Sequence, residues 1–277
     1  MKKFLLYLMF TAGLNAQTDS LPQNQWIPIG VAGVNLNQVS LSNWTQGGEN
    51  AVSFTLLGNF GLNYFSDPWQ FKNNLKLAYG RTKLGSDDFK TNDNELYLET
   101  ILSRSIGLAV DPYISNTIRS VIANGYKYDD STFQTAAFFD PGYITQSIGF
   151  TYNKLKNFST RLGIGFQETI TDQFRYYSDD PETQDKIESF KFDTGIESVT
   201  EIEQVVMENM FLNSSLRLFS RFKSMDVWDV RWDNTLTAKV NNYVNVNFNF
   251  LLIHEISQTR KTQLKEALQL GLTYNLF

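Results

Sequence analysis

Apolar and polar residues alternate with a period of two through most of this chain, and no helical period competes with that alternation. From 52 to 64 the even positions carry Val52, Phe54, Leu56, Gly58, Phe60, Leu62 and Tyr64, while Ser53, Thr55, Asn59, Gly61 and Asn63 stand among the odd ones. From 69 to 79, Trp69, Phe71, Leu75, Leu77 and Tyr79 oppose Gln70, Lys72, Asn74 and Lys76. From 228 to 240, Trp228, Val230, Trp232, Leu236 and Val240 oppose Asp229, Arg231, Asp233, Thr235 and Lys239. In YVNVNFNFLL, Val244, Val246, Phe248 and Phe250 alternate with Asn245, Asn247 and Asn249. Successive side chains of a strand point to opposite faces, so each run reads as a strand with one apolar and one polar face.

Strand length separates the two architectures that alternate in this way. Strands of soluble sheets usually hold about 5–6 residues, whereas crossing a bilayer takes about 9–11 at a tilt. The runs here last a dozen or more, and their apolar faces are too large and aromatic to interdigitate in a small sandwich core. They suit a barrel with its apolar face to lipid and its polar face to the lumen. The pattern predicts twelve strands near 30–41, 51–64, 68–81, 94–106, 112–126, 142–153, 158–171, 190–205, 209–222, 227–240, 243–255 and 264–277. SNWTQGGEN, KLGSDDFKTND, KYDDSTFQTAAFFDP and DQFRYYSDDPETQDKIES are long connections, and FSDP, LAVDP, KLKN and VNN are short ones. Short periplasmic turns and longer external loops produce this pattern, and an even count places both termini in the periplasm. Tyr64, Trp69, Tyr79, Trp228 and Tyr274 lie near strand ends, where interfacial girdles sit. The expected fold is all-β: a transmembrane antiparallel up-and-down barrel of about 12 strands.

The N-terminus fits that destination. Lys2 and Lys3 precede an apolar run from Phe4 to Leu14 that is too short to span a bilayer, and Ala16 is a small residue suited to cleavage. The expected organisation is a signal peptide at 1–16, a periplasmic segment at 17–29 and an outer-membrane barrel at 30–277. No cysteine follows the apolar run, so no lipid anchor is expected.

Composition removes several kinds of chemistry. The chain of 277 residues has no cysteine and one histidine, so thiolate nucleophiles, disulfides and Cys- or His-rich metal sites are excluded. The formal charge of -5 becomes -7 once the two leader lysines are removed, which argues against nucleic acid as a partner. No cofactor is expected.

NWTQGGEN, WQFKNNLKLAYGRTK, KTNDNELYL and FFDPGYITQSIGFTYN together resemble the Bacteroidota outer-membrane β-barrel family catalogued as domain of unknown function 3078. The most specific elements are Asn43-Trp44, Gly47-Gly48 and the Tyr79-Gly80-Arg81-Thr82-Lys83 end of the following hairpin. The resemblance implies an outer-membrane barrel and no particular activity. The C-terminus is similar to the recognition signal of such barrels, with Gln269, Gly271, Tyr274, Leu276 and Phe277 at the expected spacing. It implies the barrel-assembly machinery as a partner during biogenesis.

Candidate chemistry falls in four places. His254 shares the outward parity of Phe248, Phe250 and Leu252; as a general base it would need a serine, and Ser214 and Ser220 are the outward-facing options on another strand. Asp87, Asp88, Asp93, Asp179, Asp180, Glu182 and Asp185 offer oxygen ligands in two loops without an EF-hand spacing. Inward parity collects Glu197, Glu201, Glu203, Arg217, Arg221, Asp229, Arg231, Asp233 and Lys239 as a lumen-facing polar network, since charges within a bilayer span must face water or one another. Trp44, Gly47 and Gly48 form a candidate docking or rim element. The function expected is a non-enzymatic structural or accessory component of an outer-membrane assembly, in contact with lipid, lipopolysaccharide and other outer-membrane proteins. A narrow channel or transporter for small polar solutes is the alternative, and an outer-membrane lipid hydrolase stands third.

Overall fold

The computed structural model describes residues 23–43, 48–128, 132–180, 183 and 185–277. The proposed signal peptide, Trp44, Gly47 and Glu182 lie outside the described residues. Fourteen strands are present among those described: β1 (Trp26–Val39), β2 (Ala51–Ser66), β3 (Trp69–Leu84), β4 (Lys90–Arg104), β5 (Asp111–Ser120), β6 (Gly125–Tyr128), β7 (Thr132–Ala136), β8 (Gly142–Leu155), β9 (Phe158–Ile170), β10 (Phe190–Met207), β11 (Met210–Arg221), β12 (Asp229–Lys239), β13 (Val244–His254) and β14 (Gln263–Asn275). Twelve of them close a barrel in the order β1-β14-β13-β12-β11-β10-β9-β8-β5-β4-β3-β2, and β6 and β7 form a separate two-stranded hairpin. All pairs are antiparallel, and closure comes from β1 on β14, with Asn35 opposite Gly271 and Leu36 opposite Leu270.

The strand count and the alternation of connections follow the sequence reading. Turns such as 67–68, 156–157 and 208–209 join one end, while 40–50, 85–89, 121–141 and 171–189 join the other, and β1 begins and β14 ends at the short-turn rim.

Two differences carry physical content. β1 begins at Trp26, ahead of the boundary expected at 30, because Trp26 packs on Tyr64 with ring centroids 4.8 Å apart and on Phe71 at 5.8 Å. The fifth strand, expected over 112–126, leaves the barrel after Ser120. There the Asn94 side chain stands in for a strand partner. Its Oδ1 accepts from the backbone N–H of Ile122 (3.0 Å) and Ala123 (3.1 Å), and its Nδ2 donates to the Ala123 carbonyl (2.6 Å). The chain then turns out into the β6–β7 hairpin.

The barrel is inside-out relative to a soluble domain. Leu56, Ile148, Leu162 and Leu268 stand outward at 53–65% exposure, and Phe248, Phe250, Ile164 and Leu270 share the outward parity. The buried hydrophobics among the described residues are Phe65, Ala78, Tyr113, Ala136, Tyr143, Val199 and Phe219, while most buried positions hold Asn, Thr, Ser, Asp, Glu, Gln or Arg. A contiguous apolar belt around a polar interior is untenable in water and natural in lipid.

Candidate functional site

The interior contains two polar systems. Along the wall made by β12, β13, β14, β1 and β2, amides and hydroxyls form a ladder. Asn35 Nδ2 donates to Gln269 Oε1 (2.7 Å), Gln269 Nε2 to Thr55 Oγ1 (3.3 Å), and Asn249 Nδ2 to Gln269 Oε1 (3.2 Å). Asn247 Nδ2 donates to Asn245 Oδ1 (2.7 Å), and Thr237 Oγ1 to Asn247 Oδ1 (2.9 Å). A Cβ on Gly271 would meet the Asn245 and Asn247 amides and Asn35 Oδ1, so a larger residue there would have to displace the ends of these ladder side chains.

Ion pairs line the rest of the lumen, some between neighbouring strands and some across it. Lys76 on β3 reaches Asp233 on β12 (3.1 Å) and Glu95 on β4 (3.3 Å), and Arg231 Nη2 reaches Glu95 Oε1 at 2.8 Å. Arg217 Nε holds Glu197 at 2.7 Å, and Arg221 bridges Asp193 (2.9 Å) and Asp229 (2.8 Å). Arg161 on β9 binds Glu99 on β4. Arg119 on β5 meets Glu255, the residue after β13, with Nη1 2.7 Å from Oε1. Around the ring of twelve strands β5 and β13 stand six steps apart, so this last pair spans the full diameter. Arg119 is 8% exposed and Glu255 2%.

Of the lumen residues named from sequence, Glu197, Arg217, Arg221, Asp229, Arg231 and Asp233 join these pairs, and Glu201 accepts from Ser159 Oγ at 3.1 Å. Glu203 and Lys239 do not. Glu203 is exposed near the β10–β11 turn, and Lys239 Nζ lies 4.6 Å from the centroid of the Phe211 ring. Their parity is right, but both lie where the strands approach the rim and water replaces a counterion. Lys76, Glu95, Glu99, Arg119, Arg161, Asp193 and Glu255 are partners that sequence reasoning missed. Inward parity was the available signal, and it cannot pair residues on distant strands.

At the long-loop end the connections interlock. Asp140 Oδ2 accepts from the backbone N–H of Gln173 (2.8 Å) and Phe174 (3.4 Å), Tyr176 Oη donates to the Thr135 carbonyl (3.1 Å), and the Thr91 N–H donates to Tyr128 Oη (2.9 Å). Ser178, fully buried, donates to the Glu188 carbonyl at 2.6 Å. Burial raises the Tyr176 and Tyr177 phenols above their ordinary range, and a hydrogen bond from Thr183 holds the Glu188 carboxyl below its own. A hydrogen bond from Lys90 likewise lowers Asp87. Beneath this cover lies a cavity of about 400 Å³, walled by β4, Arg119, the β6–β7 hairpin, Tyr177 and the end of β13. Among the described residues no group of three or more acidic or histidine side chains could hold a metal ion.

His254 and the rim element sit elsewhere. His254 Nδ1 is 3.1 Å from Thr262 Oγ1, Ser214 Oγ accepts from Trp232 Nε1 at 3.0 Å, and Ser220 Oγ is fully buried without a hydrogen-bond partner, so neither serine candidate is bonded to the imidazole. Gly48 has φ +116°, and a Cβ there would stand 3.0 Å from Leu41 Cδ1, which makes it a position where the backbone itself requires glycine.

Geometry and surface together define a twelve-stranded transmembrane β-barrel whose lumen is bridged by buried ion pairs. Residues 36–126 match the family described as "Protein of unknown function (DUF3078)", which bears out the resemblance over that segment. No curated protein matches the sequence. Among solved structures the chain is similar to an outer-membrane channel from Pseudomonas putida F1, with 10% identity, 94% of this chain and 97% of that one covered, and a TM-score of 0.40. It is also similar to the translocator domain of the autotransporter NalP from Neisseria meningitidis, with 7% identity, coverage of 90% and 87%, and a TM-score of 0.35. A third match is the beta domain of the Bordetella autotransporter BrkA, with 9% identity, coverage of 90% and 98%, and a TM-score of 0.32.

Proposed function

We propose that this chain is a non-enzymatic integral barrel of the outer membrane whose lumen is closed to solutes, and that it acts as a structural or accessory component of an outer-membrane assembly. The observation that carries this reading is the Arg119–Glu255 bridge across the diameter, reinforced by Lys76 with Asp233 and Arg231 with Glu95. Twelve strands enclose an interior between the filled eight-stranded and the water-filled sixteen-stranded cases, so side chains decide whether it conducts. In planar bilayers the wild-type protein should show no stable open-state conductance, and Arg119→Ala with Glu255→Ala should introduce one. Steady ohmic current through the wild-type barrel would establish the second reading, a narrow channel. That reading draws on the Lys76 and Lys265 side chains, which keep 38% and 43% of their surface open to solvent although both are ion-paired. Purification in mild detergent should retain protein partners if the accessory role is right.

The short-turn rim, with both barrel ends, belongs in the periplasm on this proposal, and the loops belong outside against lipopolysaccharide. Cysteine placed at Ser86, exposed in the β3–β4 loop, should react with an impermeant maleimide on intact cells, and cysteine at Asn157, exposed in the β8–β9 turn, should not. Labelling at Asn157 alone would invert the orientation. The Gln269-to-Phe277 signal would engage the assembly machinery before β14 closes on β1.

A further inference from the structure

We propose that the outer wall formed by β5 and β8 docks a second copy of this chain, through two side-chain amides set in the middle of the apolar belt. This goes beyond the closed-lumen reading and holds whether or not the lumen conducts; it requires only that lipid surround the outer face. Asn73, Thr100, Asn116 and Gln146 stand directly opposite one another on the neighbouring strands β3, β4, β5 and β8, and directly opposed residues share a face. That face is the outer one, because Ser115, Thr117, Thr145 and Ser147, which flank Asn116 and Gln146 in sequence, are buried in the lumen. Two residues further along each strand the surface is apolar again. Ile114 stands opposite Ile148 on one side of the amides and Ile118 opposite Ile144 on the other, so Asn116 and Gln146 lie inside a square of four isoleucines.

Polar side chains at other outward positions satisfy one another across neighbouring strands. Asn73 Nδ2 donates to Thr100 Oγ1 at 2.7 Å, the Thr160 and Thr200 hydroxyls are 2.9 Å apart, and Ser214 takes the Trp232 indole N–H. Asn116 and Gln146 do not follow suit: among the described residues neither amide has a hydrogen-bond partner. In hydrocarbon an unpaired amide is costly, and a polar contact between two membrane-embedded surfaces removes that cost. The occupant follows from the chemistry. An amide carries donors and acceptors together, so it complements another amide. A two-fold axis along the membrane normal between β5 and β8 preserves depth, and brings Asn116 and Gln146 of one copy to Gln146 and Asn116 of the other. Two convex barrels meet along a narrow strip, and the strands that would form it are the ones carrying the unpaired amides. The isoleucines close around them, Ile114 and Ile148 being more than half exposed and, as β-branched residues, losing little rotamer freedom when covered. A different protein would have to bring its own unpaired polar groups to this depth; a second copy already has them.

The test is sedimentation equilibrium of the full-length barrel in detergent micelles matched in density by the solvent. The wild-type protein should show a reversible monomer–dimer equilibrium. Asn116→Leu combined with Gln146→Leu should raise the dimer dissociation constant by about tenfold or more. Leucine suits an outward position in lipid, so this variant should keep the heat-modifiable mobility of a folded barrel. Ser214→Ala removes an outward hydroxyl that already has a partner, on β11, three strands round the ring from β8, and should leave the dissociation constant unchanged. A wild-type protein that is monomeric at every concentration would assign the amides to lipid or to a different protein and overturn the proposal. A dimer that the folded double variant forms equally well, or that Ser214→Ala weakens as much, would place the contact on another face and overturn it too.

Discussion

Phe248→Arg should leave most of the protein unassembled, while Phe248→Leu assembles normally. Phe248 stands outward on β13, 42% exposed, between Leu236 on β12 and Leu268 on β14. On a soluble protein, replacing a half-exposed phenylalanine with arginine would be close to neutral. At the lipid face of a barrel an arginine near the bilayer midplane costs about 2–4 kcal/mol, a large part of a typical net stability. Leucine keeps the apolar contact and should cost less than about 1.5 kcal/mol. The readout is the fraction of heat-modifiable, folded barrel in membranes, and equal fractions for the two variants would remove lipid from the outer face.

The second large effect lies on the other side of the same sheet. Arg217→Leu removes the partner of Glu197, itself 3% exposed, along with the contact from Arg217 Nη2 to Gln167 Oε1 at 3.1 Å. An uncompensated buried carboxylate costs about 3–5 kcal/mol, whereas replacing both charges with apolar groups is often close to neutral. Adding Glu197→Leu should therefore recover most of the stability lost by Arg217→Leu. Urea unfolding of the refolded barrel measures both. A single variant costing less than about 1 kcal/mol would mean that water reaches Glu197, and the closed lumen would fail with it.

Much of the architecture was legible because barrel strands repeat locally. Thr55, Lys76, Asn247 and Asp233 could each be assigned to the interior from their neighbours two residues away, and the alternation of short and long connections ordered the strands around the ring. Where a local device ended a strand, reading failed. The departure of β5 after Ser120 depends on the Asn94 side chain, 28 residues upstream of Ile122 in sequence, and a run that still alternates gives no sign of it. The alternation alone leaves Trp26 outside the barrel for a similar reason, since its strand position depends on Tyr64 and Phe71.

The candidate site was less legible than the fold. His254 drew notice as the lone histidine, yet its ring contacts Thr262 on the outer face. Arg119 and Glu255, separated by 136 residues, drew none. Leu251 and Ile253 continued an apolar run in the sequence and looked ordinary there; only their placement inside a polar lumen makes them a feature.

By itself the sequence determined the twelve barrel strands apart from the start of β1 and the end of β5, which face of each is apolar and in what order they are joined, because a pleated chain exposes alternate side chains to alternate environments and each such rule reaches only two residues. The tertiary structure alone decided which charges meet across the lumen and where the mouth encloses a cavity. Those contacts depend on the stagger and tilt with which twelve strands close, properties of the whole ring that no single strand contains.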